Sequence, residues 1–289
     1  MEIRKVGVLG CGLMGSGIAQ VAAVAGYEVW VREVEAGLLE QGMGRIKGSL
    51  AKLVEKGRMA AADQETATRR LHATTKLQDL KECDLVVEAI TENLDLKKST
   101  FKELGALCRQ EAIFASNTSS FPIGEMGEAS GRPDRFVGLH FFNPVPLMAL
   151  VEVIRAPKTR DDVVQAARAF GERVGKTPIL AKDTPGFVVN RLLVPYLLEA
   201  VRMVERGDAT ADDIDTGMKL GCGHPMGPIT LLDYVGLDTT LFIVEGWHAR
   251  DPKDPMFEPP ALLKRMVKEG RLGRKSGQGF FKWQGDKRA

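Results

Sequence analysis

Over the first two-thirds of the chain, short apolar runs alternate with longer stretches whose apolar residues recur at helical spacing. That alternation predicts a mainly parallel sheet covered by helices on both faces. The runs at residues 6–9, 28–31, 84–90, 112–116, 136–140, 150–154 and 178–181 are the predicted strands. Between the first two, residues 13–25 read as a helix rich in Ala, Ile and Met, and residues 35–56 as a long, partly basic one. After Asp183-Thr184-Pro185-Gly186 the pattern changes: residues 187–204 and the stretches beyond them carry helical periodicity with no convincing strand. The expected organisation is a Rossmann-type doubly wound domain over residues 1–184 and a smaller, all-helical domain over residues 185–289. Thr184 is expected to cap the first helix of that second domain with Pro185 at its first position. Thr210, three residues before Asp213, is expected to start another helix, and Pro195 to kink the long one.

Composition narrows the function. Forty basic residues against 38 acidic ones leave a formal charge of +2, so neither a general nucleic-acid binder nor a membrane-surface binder is indicated. No apolar run approaches the roughly 20 residues of a membrane helix, and residues 1–5 lead straight into a strand without the features of a secretory signal. Cys11, Cys83, Cys108 and Cys222 form no close pair and the chain holds four histidines, so neither a metal site nor a disulfide framework is expected. A reducing compartment, bacterial cytosol or mitochondrial matrix, fits that usage.

The first chemical signal is Gly10-Cys11-Gly12-Leu13-Met14-Gly15, which follows a predicted strand and opens a predicted helix. In that context the glycines form a dinucleotide-binding turn, and the helix N-terminus faces a pyrophosphate. Glu33 stands 23 residues beyond Gly10, at the end of the second strand, where a carboxylate accepts hydrogen bonds from ribose hydroxyls and repels a 2′-phosphate. NAD is thus the expected cofactor, with the adjacent Arg32 softening the preference over NADP. His140, ending one predicted strand, offers an imidazole able to take or give a proton near neutral pH. Glu152, on the following strand, offers a carboxylate able to hold its second ring nitrogen. Taken alone, a histidine beside Phe141-Phe142 is as readily a structural residue.

Several longer motifs resemble the L-3-hydroxyacyl-CoA dehydrogenase family. They are Ser116-Asn117-Thr118-Ser119-Ser120, His140-Phe141-Phe142-Asn143-Pro144 with Val151-Glu152-Val153, and Asp183-Thr184-Pro185-Gly186-Phe187-Val188-Val189-Asn190-Arg191. Pro225-Met226-Gly227-Pro228, Leu232-Asp233-Tyr234-Val235-Gly236-Leu237-Asp238 and Arg274-Lys275-Ser276-Gly277-Gln278-Gly279-Phe280 extend the resemblance to essentially the whole chain, with no hydratase domain. It implies interconversion of 3-hydroxyacyl-CoA and 3-ketoacyl-CoA with NAD, His140 as general base and acid, and Glu152 as its partner. It further implies substrate-oxygen contacts from Ser119 and Asn190, cofactor contacts from Glu92, Lys97, Ser119, Asn143 and Lys275, and coenzyme A contacts from Ser49 and Lys56. A homodimer joined through the helical domain is also expected. Two positions depart from the family pattern: Ala149 stands where Lys commonly follows Met148, and Glu33 where Asp is usual. Two other readings stay open at this point, an enzyme similar to lambda-crystallin and gulonate dehydrogenase acting on a free hydroxy acid, and a non-catalytic protein on the same fold.

Overall fold

The computed structural model describes residues 2–289, which divide into two compact units, one ending at Phe187 and the other running Val188–Ala289. In the first unit, strands β1 (Lys5–Leu9), β2 (Glu28–Arg32), β3 (Leu71–Thr74), β4 (Leu85–Glu88), β5 (Ile113–Ser116), β6 (Phe136–Phe141), β7 (Leu150–Arg155) and β8 (Thr177–Lys182) form one sheet. Their order across it is β3-β2-β1-β4-β5-β6-β7-β8. All neighbours run parallel except β6 and β7, which are antiparallel. Helices α1 (Leu13–Val24), α2 (Ala36–Glu55), α3 (Ala61–Arg69), α4 (Leu94–Leu107), α5 (Ile123–Ala129) and α6 (Asp161–Arg173) complete the unit.

The central strands β1, β4, β5 and β6 are almost wholly buried because both faces of the sheet are covered there. Along β4, Leu85 and Val87 join the cluster built with Ile18 of α1, Ile46 and Leu50 of α2 and Phe170 of α6. Val86 points the other way, into the cluster of Phe101 and Leu104 of α4 and Met126 of α5. That is the period of two expected of a pleated strand. Each such side chain, fully buried, contributes about 1.5–3 kcal/mol.

The second unit consists of α7 (Val189–Arg206), α8 (Ala211–Cys222), α9 (Pro228–Val235), α10 (Leu237–Arg250) and α11 (Ala261–Lys268), followed by a two-stranded ribbon, β9 (Trp283–Gln284) and β10 (Lys287–Arg288). Val194, Leu197, Leu198 and Val201 of α7 are buried at helical spacing, and the helix runs unbroken through Pro195. Buried carboxylates tie the unit together. Asp215 of α8 accepts from Ile229 N at 2.8 Å and Thr230 N at 2.9 Å, capping α9. Asp233 of α9 accepts from Phe280 N, Phe281 N and Trp283 Nε1, which pins the tail. Burial pushes the Asp233 carboxyl above the usual range.

Three local expectations change. Residues 184–187 form a turn, closed by Phe187 N donating to Thr184 O at 2.9 Å. Phe187 takes φ 52° there, so α7 begins only at Val189 and Thr184 does not cap it. The β9–β10 ribbon lies in the part read as strandless, while β3 and α3 were not anticipated. The Thr210 cap is present: its Oγ1 accepts from Asp213 N at 3.1 Å. Among the described residues, no helix is long and apolar enough to cross a membrane.

Candidate active site

The sheet's order places β1 beside β4, with the chain winding outward from that pair in both directions. Loops leaving the carboxyl ends of two such strands open a crevice where nucleotides bind in doubly wound folds. The loop after β1 holds the glycines. Gly10 has φ 87°, and a Cβ there would lie 2.6 Å from the Ala89 carbonyl oxygen in the loop after β4. A Cβ on Gly15 would lie 1.8 Å from Gly10 O. These two glycines are required by the fold. Gly12 differs, since a Cβ on it would meet nothing within 4 Å. It also precedes α1 without any side chain to satisfy the helix's first N–H groups. The vacant space and the unsatisfied donors suit the pyrophosphate of NAD, so the residues present fit that cofactor. Leu13 is exposed and Met14 half-buried at the start of α1.

Glu33 follows β2 and reaches back to this loop. Its carboxylate accepts from Cys11 N at 2.9 Å and Val34 N at 2.8 Å, one oxygen to each, which leaves lone pairs for a ribose. Beside it, the buried Arg32 Nε has no hydrogen-bond partner among the described residues.

The loops after β4 and β5 are joined by a chain of polar contacts. Glu92 accepts from Thr118 Oγ1 at 3.0 Å and from Ser119 N at 3.1 Å. The Ser119 hydroxyl lies 3.1 Å from that of Ser120. Lys97 of α4 was expected to offer its ammonium to the cofactor. Instead it is 1% exposed, 2.5 Å from Glu88 and 3.1 Å from Glu92, where two carboxylates offset the cost of burying it. In this geometry Lys97 holds Glu92 and does not project into the crevice. Glu88, which sequence reasoning missed, is the buried anchor, accepting also from Ser116 Oγ at 2.5 Å and Ile90 N at 2.8 Å. Its one signal was a carboxylate closing an otherwise apolar strand, Leu85-Val86-Val87-Glu88. Asn117, whose part in the motif is structural, accepts from Phe141 N at 2.9 Å and so fastens the Ser119 loop to β6.

His140 and Glu152 stand directly opposite each other in the antiparallel register of β6 and β7. His140 Nδ1 lies 2.6 Å from Glu152 Oε2, with the ring nearly buried and the carboxylate wholly so. Phe142 and Phe187 flank the ring, their centroids 4.6 and 5.7 Å from its own. Holding Phe187 in the left-handed region, which costs a non-glycine residue of order 1–3 kcal/mol, keeps its ring against this imidazole. With Nδ1 committed to Glu152, Nε2 is the nitrogen left to exchange a proton.

Ser49 and Lys56, the former on α2 and the latter at its end, line a cavity of about 280 Å³ together with Leu13, Asn143, Val145 and Leu147. Arg45, Lys52 and Arg58 stand around the same cavity, which makes it apolar within and cationic at its border. Two expected site residues lie on the second unit. Asn190 is in the first turn of α7, and Lys275 places its ammonium 2.6 Å from Asp238.

Known proteins align with this chain over nearly its full length. The family model described as 3-hydroxyacyl-CoA dehydrogenase, NAD binding domain, matches residues 5–184, and that of the C-terminal domain matches residues 186–283. The chain is similar to a probable 3-hydroxybutyryl-CoA dehydrogenase of Deinococcus radiodurans, at 52% identity over 96% of this chain and 100% of the relative. It is similar to the mitochondrial hydroxyacyl-coenzyme A dehydrogenase of Sus scrofa, at 48% identity over 98% of this chain and 92% of that protein. Among solved structures, (S)-3-hydroxybutyryl-CoA dehydrogenase from Ralstonia eutropha superposes with a TM-score of 0.95 at 43% identity, covering 98% of this chain and 100% of the other. Both parts of this chain therefore belong to the 3-hydroxyacyl-CoA dehydrogenase family, with its NAD-binding domain in the amino-terminal part.

Proposed function

We propose that this protein interconverts (S)-3-hydroxyacyl-CoA and 3-ketoacyl-CoA thioesters, 3-hydroxybutyryl-CoA and acetoacetyl-CoA among them, with NAD as the redox partner. The observation that carries the reading is the buried 2.6 Å contact between His140 and Glu152, set by strand register. Nε2 of His140 takes the hydroxyl proton when the alcohol is oxidised and returns it when the ketone is reduced. Glu152 fixes the tautomer that makes Nε2 the acceptor and stabilises the imidazolium once the proton has arrived. Ser119, on the loop held by Glu92 and Asn117, is assigned to hydrogen-bond the substrate oxygen, and Asn190 to polarise the keto group. Gly10, Gly12, Leu13, Met14, Gly15, Glu33, Glu92, Asn143 and Lys275 are assigned to the cofactor, Lys97 acting there through Glu92. NAD, when bound, supplies the hydride acceptor. Ser49 and Lys56, with the neighbouring cations, suit the phosphates of coenzyme A, and this favours a thioester over a free hydroxy acid.

NADH oxidation measured across acyl-CoA chain lengths tests the assignment, with acetoacetate and a free sugar acid as controls. Acetoacetyl-CoA is expected to turn over and free acetoacetate to be a far poorer substrate. Equal turnover of the free acids would return the protein to the gulonate-dehydrogenase-like reading, and the absence of any turnover would make it a binding protein.

Cofactor choice gives a second expectation. Glu33→Ser removes the carboxylate and leaves the Arg32 guanidinium, whose Nε has no partner among the described residues, next in sequence, so the ratio of NADP to NAD specificity constants is expected to rise about tenfold or more, the worth of one or two charged hydrogen bonds. An unchanged ratio removes Glu33 from the cofactor site.

The nucleotide-binding part is assigned to residues 1–184 and the substrate and dimerisation part to residues 185–289. Exposed Leu192 and Phe242 in the second unit suit a homodimer interface. The four free cysteines suit a reducing cytosol or matrix, and the thioester substrate class suits a role in fatty-acid oxidation or its reverse.

A further inference from the structure

Lys176 is a buried cation that the proposed chemistry does not use. It is 8% exposed, and its ammonium donates to two backbone oxygens, Val145 O at 2.6 Å and Met148 O at 2.9 Å. No ion pair is found for it among the described residues. Lys97, the other deeply buried lysine, has two carboxylates. Burial lowers the ammonium pKa of Lys176 below the ordinary lysine value, the direction expected where desolvation is not offset by an anion. With no counter-ion among the described residues, the cost of burying this charge is offset only by its hydrogen bonds, so a need for those bonds would explain why it is kept.

The need is visible in the segment that those bonds hold. Residues 142–149 connect β6 to β7 without secondary structure of their own. Pro144 and Pro146 contribute no N–H, and Leu147 N and Met148 N both donate to Pro144 O. The carbonyls of Val145 and Met148 are taken up by Lys176, and that of Ala149 by Thr177 N at 2.6 Å. Lys176 immediately precedes β8, whose pairing with β7 begins at Leu150 opposite Thr177, so its side chain starts at the foot of β7 and reaches back along the connection. From the other side α1 closes on the same segment. A Cβ on Gly17 would lie 2.8 Å from Val145 Cβ, and Val145 is 2% exposed. The connection is thus held between the helix that follows the glycine loop and one ammonium group. It carries Asn143 and the cavity wall of Pro144, Val145, Pro146 and Leu147. It also joins the two strands whose register sets His140 against Glu152, and connection geometry is one of the determinants of register.

We propose that Lys176 is a positioning residue for the substrate side of the site, its ammonium fixing the 142–149 connection in the form that builds the cavity wall and keeps β6 and β7 in register. The substrate part of this inference rests on the reading of the cavity as the thioester site. The clamp itself does not.

The experiment compares wild type with Lys176→Met, Lys176→Gln and Lys176→Arg as full-length chains. Peptide-resolved hydrogen exchange without ligands is expected to show faster exchange in residues 142–149 of Lys176→Met, with β5 unchanged. Calorimetry with free coenzyme A and kinetics with acetoacetyl-CoA are expected to show Kd and KM rising together by about tenfold, the worth of one charged hydrogen bond, with a smaller fall in kcat and a smaller change in NADH affinity. Lys176→Arg, which keeps a cationic donor, is expected to recover most of the KM. Lys176→Gln, which keeps a neutral donor, is expected to fall between and to report if the methionine variant does not fold. A folded Lys176→Met or Lys176→Gln chain that melts earlier but keeps wild-type exchange in 142–149, coenzyme A affinity and KM overturns the proposal and leaves Lys176 a stability residue. If wild type itself fails to bind coenzyme A while the exchange difference is present, the substrate reading has failed and the clamp stands.

Discussion

His140→Gln is expected to lower turnover in both directions by about three orders of magnitude, within the range contributed by a positioned acid–base group, while NADH binding changes little. The expectation follows from placement. The imidazole sits on β6, and its Nδ1 is held by a carboxylate that is wholly buried on the adjacent strand. Glutamine can fill the space but cannot accept and return a proton. Glu152→Gln is expected to cost less, because it spares the proton carrier and removes only the charge that orients it and stabilises its protonated form. The directions of reaction need opposite states of one ring. Oxidation of the 3-hydroxy thioester requires neutral imidazole and gains rate as pH rises, whereas reduction of the 3-keto thioester requires the imidazolium and loses rate over the same interval. Pre-steady-state measurements at the NADH absorbance band separate this step from product release. Wild-type rates in a folded His140→Gln chain would remove the ring from the chemistry.

The parts of this arrangement that could be read in the sequence are those whose causes are local. Val6 to Gly15 encode a strand, a turn and a helix start within ten residues, and nothing outside the segment is needed to recognise it. The partnership of His140 with Glu152 is different. Each residue type was suggestive, but their contact depends on β6 and β7 being antiparallel neighbours in one register, and apolar runs do not reveal direction. The surroundings of Lys97 were illegible for a similar reason. Its two carboxylates lie at the end of β4 and in the following loop, and only folding brings them around one ammonium. β3 escaped notice because Leu71–Thr74 lies at the sheet edge with no fully buried residue, so it carries no apolar run. α3, in the sequence Ala-Ala-Asp-Gln-Glu-Thr-Ala-Thr-Arg, buries only Ala67 and has no apolar face to detect. At Thr184-Pro185 the local capping rule lost to tertiary demand. Asp183 is engaged in capping α5 through Ile123 N and Gly124 N, at 2.9 and 2.8 Å, and the chain turns through Phe187 before α7 starts.

The three glycines of the nucleotide loop, alike in the sequence, are expected to fail in different ways. Gly15→Ala would place a methyl group 1.8 Å from the Gly10 carbonyl oxygen, so α1 could not stay against β1 and the fold itself should be lost or severely destabilised. Gly12→Val is the selective test. The residue has φ −69° and ψ −161°, extended backbone open to any L-residue, and a Cβ there meets no protein atom within 4 Å. The chain is therefore expected to fold, with an unchanged far-ultraviolet circular dichroism spectrum and a melting temperature near that of wild type. What the branched side chain would occupy is the space in front of the first N–H groups of α1, where a pyrophosphate must approach the backbone. Loss of about two charged hydrogen bonds at about 1.5 kcal/mol each corresponds to NADH binding weakened by about 100-fold. Titration of NADH fluorescence reads the loss directly, without substrate and without reference to His140. A folded Gly12→Val chain that binds NADH as wild type does would show that the loop, for all its glycines, does not receive the phosphates.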